Sequence, residues 1–357
     1  MKTSQPANYR SRQRLLAAAR WLLELRARWR RRGFVCRSLA GQASDGLFVN
    51  SDMTVSCNCQ DIDGHGQLGR LRTTPLVEIL NGPKAAAFRR QLAAGRLPLA
   101  RCAACWHLRS IPRDEARRCV DQFQPPKGLS VENTVCCNLR CVSCCRETIL
   151  KTRGEGRSLS LADVEIVSDT LHQLGAEYCG YYNLGEPFFS SAILDELRLL
   201  RLRNPSMHLL SSTNGLLLDT DPKREAALLL DELLFSIDGV STPMVNRYQR
   251  GGDFDRSYEN MRRLVEYRDA QGLRRPTIVW KYVVFRWNDH AEDVALALQL
   301  ARAAHVDRLQ LVFARNPWHA MSWRFFTSKA FRTWKCTNWR CRDIELRPAA
   351  QTVEKAA

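Results

Sequence analysis

The sequence predicts an α/β protein built on a parallel sheet, and three observations carry that prediction. Six short apolar runs alternate with longer segments of helical periodicity between Leu129 and Phe313. A cluster of cysteines directly follows the first run, where reactive residues of such sheets collect. The length of 357 residues suffices for one large α/β domain and a smaller module. Taken in order, the expected strands are Leu129–Val135, Glu177–Leu184, Met207–Ser212, Leu233–Ile237, Thr277–Phe285 and Arg308–Phe313. The expected helices lie near Leu161–Leu174, Ile193–Leu202, Arg224–Leu230, Tyr258–Arg268 and Glu292–Ala304. Ser160 to Asp163 resembles a capping box with Asp in place of the usual Glu or Gln. Strand–helix alternation of this kind implies a parallel sheet, curled or open.

Around this core the expected organisation is a basic helical extension over 1–45, a cysteine module over 46–112, a Pro-containing connector over 113–128, the α/β core over 129–315 and an aromatic, basic segment over 316–357. Residues 1–33 hold ten Lys or Arg against Glu24 alone, a net of +9 that leaves +8 for the other 324 residues. Leu15, Ala19, Leu22, Arg26 and Trp29 recur at helical spacing. Such a helix suits an anionic membrane surface, an acidic partner or an organellar transit peptide, against the plainer alternative of a helix packed on its own protein. No apolar run approaches the roughly 18 residues that span a bilayer. The polar, basic first dozen residues do not read as a secretory signal, so the expected location is cytoplasmic, with peripheral membrane association through the helix.

Fourteen cysteines point to metal chemistry in a reducing compartment. The densest stretch, Cys137-Asn138-Leu139-Arg140-Cys141-Val142-Ser143-Cys144, is a C-x3-C-x2-C run. Iron–sulfur clusters are usually held by four cysteines, so three thiolates leave one iron open. An open coordination site marks a catalytic centre rather than a structural one.

Further motifs follow in order at the ends of the expected strands: Gly185-Glu186-Pro187, Ser212-Thr213-Asn214-Gly215, Ser236-Ile237-Asp238-Gly239 and Arg247-Tyr248-Gln249-Arg250-Gly251-Gly252. Together with the Cys137–Cys144 run, they make the chain resemble the radical S-adenosylmethionine (radical SAM) enzymes over about Leu129 to Phe313. That resemblance implies a partial (β/α)6 TIM-like barrel and a 4Fe-4S cluster on Cys137, Cys141 and Cys144. S-adenosylmethionine (SAM) would then chelate the open iron. It further implies that Gly185, Glu186 and Pro187 meet the methionine amino group. Ser212, Thr213 and Asn214 would lie near the cofactor, and Ser236 and Asp238 near its ribose and carboxylate. Either Arg247 or Arg250 would pair with that carboxylate. Two positions depart from the family pattern: Leu184 stands where a first glycine is usual, and Ser143 where an aromatic often precedes the third cysteine.

Upstream, Cys57, Cys59, Cys102 and Cys105 supply four thiolates, a full set for a second, auxiliary 4Fe-4S cluster. Their surroundings resemble the auxiliary-cluster modules called SPASM or twitch, here placed ahead of the core instead of behind it. A four-cysteine zinc site is the competing reading. Asp63-Gly64-His65 reads as a polar turn. The remaining cysteines, 36, 119, 136, 145, 179, 336 and 341, are expected to be small buried residues, with Cys179 or Cys145 as alternative hydrogen donors to a radical. Trp318, Trp323, Phe325, Phe326, Phe331, Trp334 and Trp339, interleaved with Arg324, Lys329, Arg332, Lys335 and Arg340, are expected to pack over the core.

The expected activity is hydrogen abstraction from a small-molecule (sugar-like) or peptide substrate, for oxidation or epimerisation. An electron donor such as flavodoxin or ferredoxin is the implied partner. An RNA-modifying enzyme of the same family is a second reading, with nucleic acid the weaker partner class, and a non-enzymatic zinc-ribbon binding module is a third.

Overall fold

β-Branched and aromatic residues concentrate in the six runs of the core, and all six form strands in the computed structural model, which describes residues 7–57, 61, 63–120, 123–153, 157–314 and 317–347. The chain is an α/β protein with a mixed sheet, parallel in its core, and it divides into two compact units.

The first unit comprises Met1–Val135, Cys145–Asn183 and Leu202–Met207. Here the strand Gly128–Val131 pairs in parallel with Tyr178–Tyr181 on one side and Phe48–Val49 on the other. The short antiparallel strands Thr54–Ser56 and Gln67–Arg70 extend the ladder. Leu47, Val49, Val55, Leu129, Val131 and Cys179 are buried, which places one apolar layer beneath these strands. A separate ribbon pairs Arg32–Cys36 with Leu108–Pro112 in antiparallel register, Cys36 opposite Leu108. The long helix Ala7–Trp29 precedes that ribbon.

The capping box forms fully. The Ser160 hydroxyl accepts from the Asp163 N–H at 3.2 Å, and the Ser160 N–H donates to the Asp163 carboxylate at 3.0 Å. Arg72 adds a bidentate pair to the same carboxylate at 2.6 and 2.7 Å. The hydrogen bonds from Arg72 hold Asp163 down to about 2, against the opposing effect of burial. Because its folded value lies below the unfolded one of about 3.9, this stabilisation is complete above about pH 4 and is lost as pH falls through about 2. Asp163→Ala should cost about 2 kcal/mol near neutral pH. In urea denaturation, the gap between variant and parent should close as pH approaches 2.

The second unit comprises Cys136–Cys144, Leu184–Arg201 and His208–Ala357. The strands His208–Thr213, Glu232–Ser236, Thr277–Val284 and Arg308–Phe313 pair in parallel, in chain order. A terminal hairpin, Lys335–Asn338 with Cys341–Glu345, adds antiparallel to the last of them. Trp280 and Tyr282 project to the outer face, where Trp280 meets Phe254 and Tyr258 of the helix Phe254–Ala270. Residues of opposite parity, including Lys281, therefore face the other side of these strands. A helix follows each of the first five core strands, as the (β/α)6 order requires.

Boundaries differ from expectation where polar residues take over. The first strand ends at Val131 because Glu132, Asn133 and Thr134 turn to side-chain and loop partners: Asn183 Nδ2 reaches Glu132, and Leu159 N donates to the Asn133 carbonyl. In the C-terminal segment, Phe325 and Phe331 are buried as expected, whereas Trp323 and Trp339 are exposed. The Trp318 side chain lies outside the described residues. Cys179 is buried, but Cys336 is exposed on the edge strand, and the other unassigned cysteines are half-buried.

Candidate functional site

Every element of the expected site from Cys136 to Gly252 lies in the second unit, and hydrogen bonds tie its motifs together. The cysteine loop is held along one side by the Tyr248–Gly251 turn. Arg140 N donates to the Arg250 carbonyl at 3.0 Å and Val142 N to the Tyr248 carbonyl at 2.9 Å. Gly251 adopts φ +86°, a backbone conformation that a side chain would strain, and its Cα faces the buried Leu139. On another side, Glu186 N donates to the Cys136 carbonyl at 2.8 Å, and Asn214 Nδ2 donates to Asn138 Oδ1 at 2.9 Å. The same amide lies 4.0 Å from the Cys137 sulfur, which also accepts from Leu139 N at 3.4 Å.

Cys137, Cys141 and Cys144 share one electrostatic neighbourhood. Burial pushes the Cys141 thiol far above its usual range, and the nearby Cys144, Asp238 and Cys137 push it further. Crowded thiolates with little solvent need a compensating cation, which is the condition a bound iron cluster meets.

Glu186 is buried, and its carboxylate accepts from Thr213 Oγ1 at 2.8 Å, Asn214 N at 2.7 Å and Phe188 N at 3.3 Å. Those bonds use three of about four lone-pair directions. Burial nevertheless lifts Glu186 to about 7. The Glu–Thr–Asn contact explains why the Gly-Glu-Pro and Ser-Thr-Asn-Gly motifs occur together: one carboxylate organises the turn of the other. Gly215 takes φ +79° in that turn, and a Cβ there would crowd the Phe235 ring at 3.0 Å. Asp238 is likewise buried and lifted to about 7 by desolvation, opposed by Val283 N at 3.1 Å and by Lys281.

Ser212 and Ser236 are half-buried at their strand ends. Arg247 and Arg250 are both exposed, and their side chains make no hydrogen bond or ion pair among the described residues. The residue from that segment which does enter the site is Gln249. It accepts from Asp238 N at 3.0 Å and donates to the Ser236 carbonyl at 2.8 Å, and it is buried. Asn288 completes the brace by donating to the carbonyls of Asp238 and Val283 at 3.0 Å each. Gln249 lies within the Arg247–Gly252 motif, but a plain amide there carries no signature of this role, and nothing in the chain's patterning marks Asn288. Gln249→Ala should strand a buried N–H and a buried carbonyl at a cost of about 1–3 kcal/mol. A lowered thermal midpoint would register that loss.

In the first unit, Cys57, Cys102 and Cys105 come together, and Cys36 joins them. Cys57 is driven well above the usual thiol range by burial and then by Cys36, Cys102, Asp61 and Cys105. Cys102 is pushed up to about 11 by burial. Backbone N–H groups face the sulfurs, from Leu39 and Ser38 at Cys36 and from His107 and Leu108 at Cys105. Arg101, paired with Asp61 at 3.4 Å and with Asp63, adds positive charge beside Cys102. Cys59 lies outside the described residues. Among the described residues, no three His, Cys, Asp or Glu side chains close around a single ion. A four-iron cluster is larger than one ion, so its ligands stand farther apart, and the four-thiol, N–H-lined group has the donor chemistry such a cluster takes.

Residues 131–278 match the radical SAM superfamily, and residues 36–106 match the SPASM iron–sulfur cluster-binding domain. The chain thus carries a stretch that matches the radical SAM superfamily, preceded by one that matches the SPASM domain. The first domain implies a 4Fe-4S cluster and SAM, and the second implies auxiliary iron–sulfur chemistry. No curated protein matches the chain. Among solved structures, native anSMEcpe with bound AdoMet is 17% identical, covering 51% of this chain and 50% of its own, with a TM-score of 0.37. The radical SAM methyltransferase TsrM from Kitasatospora setae is 14% identical, with coverages of 52% and 35% and a TM-score of 0.39. Coproporphyrinogen III oxidase (HemN) from Escherichia coli is 16% identical, with coverages of 49% and 39% and a TM-score of 0.32. The chain spans about half the length of the anSMEcpe structures it matches.

Proposed function

We propose that this radical SAM enzyme abstracts a hydrogen atom from a small-molecule (sugar-like) or peptide substrate, in the course of an oxidation or an epimerisation. The observation that carries the reading is the bracing of the three-cysteine loop by Glu186, Asn214 and the Tyr248–Gly251 turn. When bound, the 4Fe-4S cluster and SAM supply reductive cleavage to a 5′-deoxyadenosyl radical. Cys137, Cys141 and Cys144 hold that cluster and leave one iron open. The backbone of Gly185–Pro187 and the remaining lone pair of Glu186 receive the ammonium of the methionine. A carboxylate lifted by burial gains most from such a charge. Ser212, Thr213 and Asn214 would lie near the cofactor, Ser236 and Asp238 near its ribose and carboxylate, and Arg247 or Arg250, both exposed, would pair with that carboxylate. Cys36, Cys57, Cys102 and Cys105 would hold the auxiliary cluster, whose chemistry there would be electron transfer, with a flavodoxin- or ferredoxin-like protein as donor. The setting is cytoplasmic.

The test is anaerobic reconstitution with iron and sulfide, followed by SAM and dithionite. Formation of 5′-deoxyadenosine is expected, and its absence from a protein that has taken up iron would sink the reading. The zinc-ribbon alternative falls with the radical SAM match. RNA modification loses its main support, because more than half of the net positive charge lies in residues 1–33.

A further inference from the structure

The helix Ala7–Trp29 has two unlike faces. Ala27 is buried and Leu16, Ala19 and Leu23 are half-buried on the face toward the protein. Glu24, the one acid in residues 1–33, also turns inward, where it accepts from Leu97 N at 2.8 Å and from Arg20 at 2.9 Å. Its folded value is lowered, with burial opposed by those two donors.

The outer face carries Leu15, Trp21, Leu22, Leu25 and Trp29 at 72, 62, 58, 48 and 80% exposure. At about 100° per residue, Leu15, Ala18, Leu22, Leu25 and Trp29 form one stripe roughly 21 Å long. Arg14 and Arg28 flank it on one side and Arg26 on the other, all exposed. Arg30, Arg31 and Arg32 follow directly. With Glu24 facing inward, every charge on this surface is positive. A soluble monomer rarely leaves so continuous an apolar stripe in water.

We propose that the helix docks the protein on an anionic lipid surface, lying in the plane of the interface with the Leu15–Trp29 stripe in the acyl boundary and its arginines among the headgroups. Charge selects this occupant: a uniformly cationic rim matches a negative leaflet. Shape agrees, since the stripe is the convex side of a single helix, which a soft planar phase covers without a groove. Tryptophan and arginine are the side chains that settle at such a boundary, ring or stem inward and polar end toward water. No helix among the described residues is long and apolar enough to cross a membrane, so this one lies on the surface.

The full chain should co-sediment with vesicles of phosphatidylcholine containing about 30% phosphatidylserine, and at least about tenfold less with phosphatidylcholine alone. Raised salt should weaken the binding, and tryptophan emission should shift to the blue on binding. The triple variant Leu22→Ser, Leu25→Ser, Trp29→Ser should lose at least about tenfold in binding with circular dichroism and iron content unchanged, because these side chains are exposed. Equal binding to both vesicles, or none, overturns the proposal. So does concentration-dependent self-association abolished by the triple variant, which would make a second copy the occupant. Polyglutamate binding that survives in competition with anionic vesicles overturns it in favour of an acidic protein.

Discussion

Cys137→Ala is expected to reduce 5′-deoxyadenosine formation to below about 1% of the parent rate, measured by chromatography after anaerobic incubation with SAM and dithionite. Loss of a group that merely orients a metal ligand costs about 10–100-fold, so loss of a ligand itself costs more. The half-buried position of Cys137 lets the backbone keep its form, because the Arg140, Val142 and Asn138 bonds hold the loop besides the Leu139 N–H that the thiol accepts. Asn214→Ala should give a milder version, about tenfold, since it removes the amide that positions Asn138 and leaves all three sulfurs in place. A Cys137→Ala protein that cleaves SAM at the parent rate would show that the cluster sits elsewhere.

Cys36→Ala should remove about half of the bound iron while SAM cleavage persists, read out by iron analysis beside the cleavage assay. With Cys36 as the fourth ligand, Cys59→Ala leaves both unchanged. The reverse outcome would restore the sequence-derived set of Cys57, Cys59, Cys102 and Cys105. The two sets differ in a single ligand, so this pair of substitutions separates them cleanly. In either case Cys102→Ala should behave like the loss of the whole auxiliary cluster, because the thiol sits among Cys36, Cys105 and Arg101 in each arrangement.

Local patterning made much of the site legible. Cys137, Cys141 and Cys144 are close in sequence, so their spacing alone placed them on one loop. The Gly-Glu-Pro and Ser-Thr-Asn-Gly turns were visible because each is a short contiguous run, although the bonds that join Glu186 to Thr213 and Asn214 cross between the two runs. Cys36 was not visible. It stands 21 residues before Cys57 with no neighbouring cysteine, and only the antiparallel pairing of Arg32–Cys36 with Leu108–Pro112 brings it beside Cys105. Gln249 was hidden for a related reason, since its two partners, Asp238 and Ser236, lie on a different element and the contact involves an ordinary amide.

The N-terminal helix shows where periodicity stops. Its spacing placed Leu15, Ala19, Leu22, Arg26 and Trp29 near one face; Leu15, Leu22, Arg26 and Trp29 are exposed, whereas Ala19 is half-buried against the protein. Which way that face points depends on what the rest of the first unit offers. Glu24 accepts from Leu97 N on the side that also holds the buried Ala27, so the apolar stripe lies on the opposite, outward side.

By itself, the sequence determined the α/β alternation, the cysteine loop and the ordered set of motifs behind it, because each depends on residues near one another along the chain. The tertiary structure decided that Cys36 lies beside Cys57 and Cys105, that Gln249 and Asn288 brace Asp238, and that the basic helix shows its apolar side to solvent. Those outcomes depend on pairings across tens of residues, where long-range strand register and burial act and no local pattern records them.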